Sequence, residues 1–246
     1  MILFTSIFQS VFKRRDVKIF LSFSLLPILV PLLSKFMDGM KSDLTSNFLS
    51  FFDVAISTQF RFVLPVLLFS LVISSVFKEE IDSGIMFLYK DINRKKIFNA
   101  KVLSLLVLYG LFFVLTAILS LIAYYGIMLP QGQVLSHFSP AELAGLKTTL
   151  LSILATVCLN IITTILVSMV AIKAKTIQST LVGVFFSLAA SVAPMLIGIK
   201  YIFPNGYVNL GGTNFVISAC LILLLSIIYI SIFYLRGVKQ FKNIEF

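Results

Sequence analysis

The sequence predicts an all-α membrane protein, a bundle of six transmembrane helices. Three observations carry that reading. First, 59% of the 246 residues are hydrophobic and 12% charged, with a mean hydropathy of +1.05, whereas a water-soluble domain of this size carries about 25% charged residues. Second, the charge-free stretches 19–34, 62–77, 102–141, 148–172, 176–199 and 201–235 approach or exceed the roughly 20 apolar residues that cross a bilayer as a helix. They are continuous, not the alternating segments of about ten residues that build a barrel. Third, basic residues distribute unequally between alternate connections. With the N-terminus inside, fifteen Lys and Arg fall in inner segments and five in outer ones, the asymmetry expected of cytoplasmic loops. Both termini and the 78–101 segment are therefore expected on the cytoplasmic side of the cell membrane. The net charge of +10 is mostly a topology signal facing anionic lipid. Nucleic-acid binding needs a soluble basic surface, which this chain lacks.

The elements follow in order. Phe4, Ile7, Phe8, Val11 and Phe12 recur at helical spacing, so residues 2–13 read as an amphipathic helix lying along the membrane interface. The six spans are expected near 17–36, 56–77, 102–128, 148–172, 177–199 and 214–235, in one transmembrane domain over 1–246. Lys18, Lys35 and Arg61 lengthen the two shortest by reaching the headgroups. Pro27, Pro31, Pro65 and Pro194 fall inside spans and predict kinks, because proline removes a backbone donor. Thr149, Ser152, Thr156, Asn160 and Thr163 share one face of the fourth span. In lipid, small polar residues of this kind face other helices. Ser152, Thr156, Asn160 and Thr163 therefore mark either a packing seam between helices or a translocation path or protomer interface. Residues 201–213 contain Pro204-Asn205-Gly206 and Gly211-Gly212, the composition of a turn, with a short re-entrant element as the alternative. Cys158 and Cys220 fall inside spans and read as two small buried hydrophobes.

The 78–101 segment holds 10 of the 30 acidic and basic residues. Within it Ile81, Ile85, Leu88 and Tyr89 form an apolar stripe on a short transverse helix. Glu79, Glu80 and Asp82 are expected at that helix's start, where its dipole favours anions. Asn93 is placed to cap the next helix, whose first turn carries Arg94, Lys95 and Lys96 and which runs through Lys101 into the third span. A charged element between two spans is the pattern of a docking surface for a soluble partner.

Here the sequence resembles the permease family of type-2 ATP-binding cassette transporters, six-span membrane subunits of bacterial exporters. After the second span that family carries an acidic residue, a Gly three or four positions on, a Leu-rich turn, then Arg, Ile and a Lys opening the third span. This chain reads Glu80-Ile-Asp-Ser-Gly84-Ile-Met-Phe-Leu88, then Ile92-Asn-Arg94-Lys-Lys-Ile97-Phe-Asn-Ala-Lys101. Phe203-Pro204-Asn205-Gly206-Tyr207 before the last span is also similar. Ile85 stands where the family commonly has Thr, and Asp91 where a Pro often precedes the Arg. The resemblance implies a cytoplasmic coupling helix over 79–90, with Glu79, Glu80, Asp82, Gly84, Ile85, Leu88, Tyr89, Arg94 and Lys101 as ATPase-coupling residues. It further implies two cytoplasmic ATP-binding cassette ATPases as partners, and a second permease chain, the same or a sister. The chain has no G-x-x-x-x-G-K-[ST] loop, so ATP and Mg are expected in the partner ATPase and no cofactor on this chain. The implied function is export of an amphiphilic compound such as an antimicrobial peptide, toxin or drug. A secondary carrier or channel is the rival within transport, although such proteins usually hold ionisable residues at membrane depth. An intramembrane enzyme would need a catalytic set, yet the single histidine, His137, lies in an outer loop. An accessory or sensor protein is the last alternative.

Overall fold

The computed structural model describes residues 2–34, 47–82, 92–212 and 214–243. Among them every regular element is helical. The helices are α1 (Ile2–Phe12), α2 (Arg15–Ser22), α3 (Leu26–Ser34), α4 (Phe48–Arg61), α5 (Val63–Ser74), α6 (Glu80–Asp82), α7 (Arg94–Leu121), α8 (Leu143–Ala171), α9 (Thr176–Val192) and α10 (Phe215–Lys242). Wider π turns, Ser75–Glu79 and Ile122–Met128, join α5 to α6 and extend α7. Tighter 3-10 segments cover Phe23–Leu25, Ala193–Met195, Ile199–Ile202 and Pro204–Gly212.

Four of these helices, Arg94–Met128, Leu143–Ala171, Thr176–Met195 and Phe215–Lys242, are long and apolar enough to cross a membrane. The pair Phe48–Arg61 and Val63–Asp82, bent by 63°, makes a fifth where it acts as one span. Residues 17–34, expected to begin the first span, are helical but in three pieces, α2, a 3-10 turn and α3.

The breaks have a cause in the prolines. A proline cannot donate to the carbonyl four residues earlier, and its ring crowds that carbonyl. Pro65 therefore cannot continue α4 across Arg61. The chain turns extended at Phe62 (φ −68°, ψ 126°) and restarts with Pro65 in the first turn of α5, where a missing donor costs nothing. Pro27 cannot donate to the carbonyl of Phe23, which takes the tighter bond from the Leu26 N–H and has capacity for a second donor. The amide of Gln59 on α4 donates to it at 3.2 Å, and Gln59 in turn accepts from Thr116 Oγ1 of α7 at 3.3 Å. Pro194 likewise cannot donate to Ala190, whose carbonyl accepts from Asn205 Nδ2 at 2.6 Å. Side-chain amides from distant parts of the chain make both repairs.

Helices approach closely where side chains are small. Ser70 and Ser74 of α5 face Gly183 and Ser179 of α9, all buried. The two hydroxyls Ser74 Oγ and Ser179 Oγ lie 3.2 Å apart. A Cβ on Gly183 would overlap Ser70 Oγ and come within 2.8 Å of Val167 Cγ2, so α9 seats against α5 and α8 only through glycine. The amphipathic α1 packs on α7. Ile7 and Val11 are buried in the main core cluster with Ile97, Phe98 and Leu105. Phe4, Phe8 and Phe12 instead stack along α1 at 5.9 Å spacings, and Phe12 stays exposed. The expected single stripe thus divides between the core and the surface.

Replacing Gln59 with Leu is expected to lower stability by about 2 kcal/mol, the cost of removing the partner of the buried Thr116 hydroxyl and leaving the Phe23 carbonyl only its bond from the Leu26 N–H. In a Pro27→Ala background, where residue 27 regains its donor, the same substitution should cost distinctly less. Thermal unfolding in detergent of the two single variants and the double variant measures the difference; equal costs in both backgrounds would refute the repair.

Candidate functional site

The described charged residues of 78–101 gather at one end of the bundle, where the described parts of the N- and C-terminal segments also arrive. Helix α5 does not stop at the second span's expected end. It runs on through the π turn to Asp82. Glu79, Glu80 and Asp82 therefore occupy the last described turns of a helix begun at Val63, not the first turn of a separate one. Cations from three directions pair with these carboxylates. Lys78 Nζ holds Asp82 at 2.9 Å one turn apart. Arg14, in the extended link between α1 and α2, forks to Glu79 and Glu80 at 3.1 Å each. Lys101 of α7 reaches Glu80 Oε2 at 2.7 Å.

Lys101 is wholly buried, at 0% exposure. An ammonium there must be paired and hydrogen-bonded to be tolerated. Besides Glu80 it donates to the carbonyl of Val76 at 2.8 Å and lies 5.3 Å from the ring centre of Phe77, a cation–π distance. The π turn makes this possible. The Glu80 N–H bonds to Phe77 O, and the Val76 carbonyl accepts from Lys101. π turns recur at functional sites for this reason, since they re-aim backbone groups. Nearby, Ser75 Oγ donates to Asp16 Oδ2 at 3.3 Å, a second tie between α2 and the end of the α5 helix.

An aromatic cluster sits beside this network. Phe98 of α7 packs against Phe77, Tyr234 and Phe241 with ring centres 5.6, 5.9 and 5.6 Å away. Gly237 of α10 admits it, for a Cβ there would lie 2.9 Å from Phe98 Cζ. Tyr234 donates to Asn99 Oδ1 at 2.7 Å, and Arg94 to the carbonyl of Lys242 at 2.7 Å. Asn93 caps α7 as expected, its Oδ1 accepting from Lys95 N at 2.9 Å.

Of the expected coupling residues, Glu79, Glu80, Asp82, Arg94 and Lys101 thus come together at this end. Lys101 and Glu80 are spent on internal pairing and brace the α5 helix against α7; Glu79 and Asp82 remain largely open to solvent. Gly84, Ile85, Leu88 and Tyr89 lie outside the described residues. Arg14, Asp16, Ser75 and Phe98 were missed by sequence reasoning, although Arg14 belongs to an evident basic run at 13–15.

The polar face of α8 is divided. Thr149, Thr156 and Thr163 are buried, but the hydroxyls of Thr149 and Thr163 donate back to the carbonyls four residues earlier, at 2.9 and 2.8 Å, and the Asn160 amide to Thr156 O at 3.0 Å. These are bonds within α8; across helices, Asn160 also interacts with Tyr109 of α7 and Ser152 with Asp53 of α4. Asn160 and Thr163 border a cleft of about 20 Å³ beside Tyr109 and Gln59, room for about one water. Ser152 and Thr156 border a separate, larger cavity. Cys158 is buried and Cys220 exposed, both as free thiols. Among the described residues no cluster of His, Cys, Asp and Glu is arranged to hold a metal.

Comparison with family models, curated proteins and solved structures finds no match to this chain.

Removing the Glu80 carboxylate while Lys101 stays buried leaves an uncompensated charge, so Glu80→Gln is expected to destabilise by about 3 kcal/mol. Lys101→Met combined with Glu80→Gln removes both charges and should recover most of that loss. A double-mutant cycle by chemical denaturation in detergent reads the coupling; additive losses would mean that the pair is not bracing the helices.

Proposed function

We propose that this chain is the membrane-spanning permease subunit of an ATP-driven exporter of the type-2 ATP-binding cassette class, carrying an amphiphilic compound such as an antimicrobial peptide, toxin or drug. In this reading six spans cross the cell membrane, with residues 17–36 as the first. Both termini and the braced end face the cytoplasm, where two ATPase subunits dock on the segment that follows Asp82. A second permease chain, identical or a sister, completes the path. ATP and Mg belong to the ATPases.

The observation that carries the proposal is the braced end itself. The acidic-then-basic segment whose residues resemble the family motif leaves α5 and enters α7 at the one place where Arg14, Glu80 and Lys101 bind three elements together. A push delivered to that segment passes directly into two helices and the interfacial α1–α2 link. The excess of Lys and Arg in the same connections supports a cytoplasmic setting by the positive-inside asymmetry.

Affinity purification of the chain from its native membrane, in mild detergent, is expected to recover an ATP-binding cassette ATPase. Leu88→Asp should leave the chain inserted at normal levels and reduce that recovery at least ten-fold, with loss of substrate-stimulated ATP hydrolysis. Full recovery and normal stimulation in the variant would remove the coupling role.

A further inference from the structure

Asp53 stands apart from the charged end. It lies in α4, and Ser152 of α8 interacts with it. Ser152 is about 28 Å along α8 from Ala171, which belongs to the core cluster around Phe98. The Asp53 side chain is half-buried. Its Oδ1 is sealed from solvent and has no hydrogen-bond partner. No salt bridge among the described residues includes it. The cation that acts on it is Arg61, eight residues later on the same helix.

The surrounding elements add little charge. Helices α3, α5, α7, α8 and α9 pack on α4. Of these, α3, α5 and α9 carry no titratable side chain. Helix α8 carries Lys147 and Cys158. Helix α7 carries Tyr109, which interacts with Asn160, and its Arg94, Lys95, Lys96 and Lys101 lie at the charged end. The π turn after α7 brings two tyrosines. The Tyr124 ring packs on Phe51 at 5.7 Å and its hydroxyl donates to Leu135 O; Tyr125 packs on Phe48. His137 meets the start of α4 through its backbone carbonyl.

Two features make a site of this carboxyl. An ionised carboxylate spreads its charge over both oxygens, and burying one of them without a donor is costly. A bound proton removes the charge and leaves Oδ1 a neutral carbonyl oxygen. The second feature is a route. The larger cavity, of about 270 Å³, is enclosed by α4, α8, the end of α9 and the 3-10 segment Pro204–Gly212. Arg61 and Asn209, both exposed, stand on its wall, so water enters it. Ser152 lines this cavity and Asp53 does not. The Ser152 hydroxyl therefore links cavity water to the carboxyl.

We propose that Asp53 is a proton-binding site, loaded from this cavity through Ser152. A hydronium in the cavity gives a proton to Ser152 Oγ as the hydroxyl's own proton passes to the carboxylate. Serine ends unchanged, water is left behind, and one negative charge is lost. Loading turns the charged acceptor that α4 offers to Ser152 into a weaker, neutral one. The α4–α8 contact thus responds to the pH of the compartment that the cavity faces. The inference stands apart from ATP-driven export and needs no ATPase.

Infrared difference spectroscopy of the full chain in nanodiscs follows the carboxyl directly. At about pH 5, where exposed carboxylates are ionised, a protonated-carboxyl band is expected that fades as pH rises and is missing in Asp53→Asn. Ser152→Ala removes a donor to the ionised form and Arg61→Gln removes a cation, so each should carry the fading upward by about half a pH unit or more. On transfer to heavy water, Ser152→Ala should also slow exchange of the carboxyl proton several-fold. Melting temperatures confirm that the three variants fold. A band that persists in Asp53→Asn, an Asp53 already ionised at that pH, or exchange as fast in Ser152→Ala as in the native chain would overturn the proposal.

Discussion

Where water is excluded, every polar group must find its partner inside the protein, and that requirement shapes this molecule at each level. It governs the backbone first. Pro27 and Pro194 release carbonyls at Phe23 and Ala190, and amides from distant parts of the chain, Gln59 and Asn205, take them up. Each repair also sets tertiary structure. Gln59 draws together the turn after α2, helix α4 and helix α7, and Asn205 holds the segment before α10 against the end of α9. The same requirement governs charge. Lys101 has no exposure at all, so Glu80 and the Val76 carbonyl must lie where they do, and the π turn supplies the geometry.

These constraints give the bundle two unlike ends. At one, ion pairs and an aromatic cluster tie α2, α5, α7 and α10 into a braced junction. At the other, 3-10 turns and the 129–142 connection close over α4, with Phe48 and Leu49 donating to the carbonyls of His137 and Phe138 at 3.0 Å. A displacement applied at the braced end reaches several helices together, because separating α5 from α7 there would strand the buried Lys101 charge. In the proposed assembly this is how the work of a soluble ATPase enters the membrane part.

Much of this was legible in the chain. The apolar runs announced long helices, and α7, α8, α9 and α10 occupy nearly the expected residues. Asn93 was readable as a cap, and Pro65 as a kink, because both act on their own helix. What escaped is relational. Nothing local to Gln59 says that it serves Phe23, and nothing in Lys101 distinguishes it from the exposed Lys95 and Lys96 six and five residues earlier. Glu79, Glu80 and Asp82 were expected to open a short helix on dipole grounds; they continue the helix begun at Val63 and pair with cations, two of them on other elements. On the polar face of α8 the hydroxyls of Thr149 and Thr163 turn to their own helix, an option that a β-hydroxyl always has and that spacing cannot exclude, while Ser152 interacts with Asp53 of α4.

The central claim is that the braced, charged end faces the cytoplasm, where a soluble motor can reach it. Sidedness tests it most directly. In a background carrying Cys158→Ser and Cys220→Ser, single cysteines at Lys95 and at His137, both exposed, are treated in whole cells with a membrane-impermeant maleimide. The account predicts labelling at residue 137 and none at residue 95 until the cells are opened. Labelling of residue 95 in intact cells, with residue 137 protected, would contradict it.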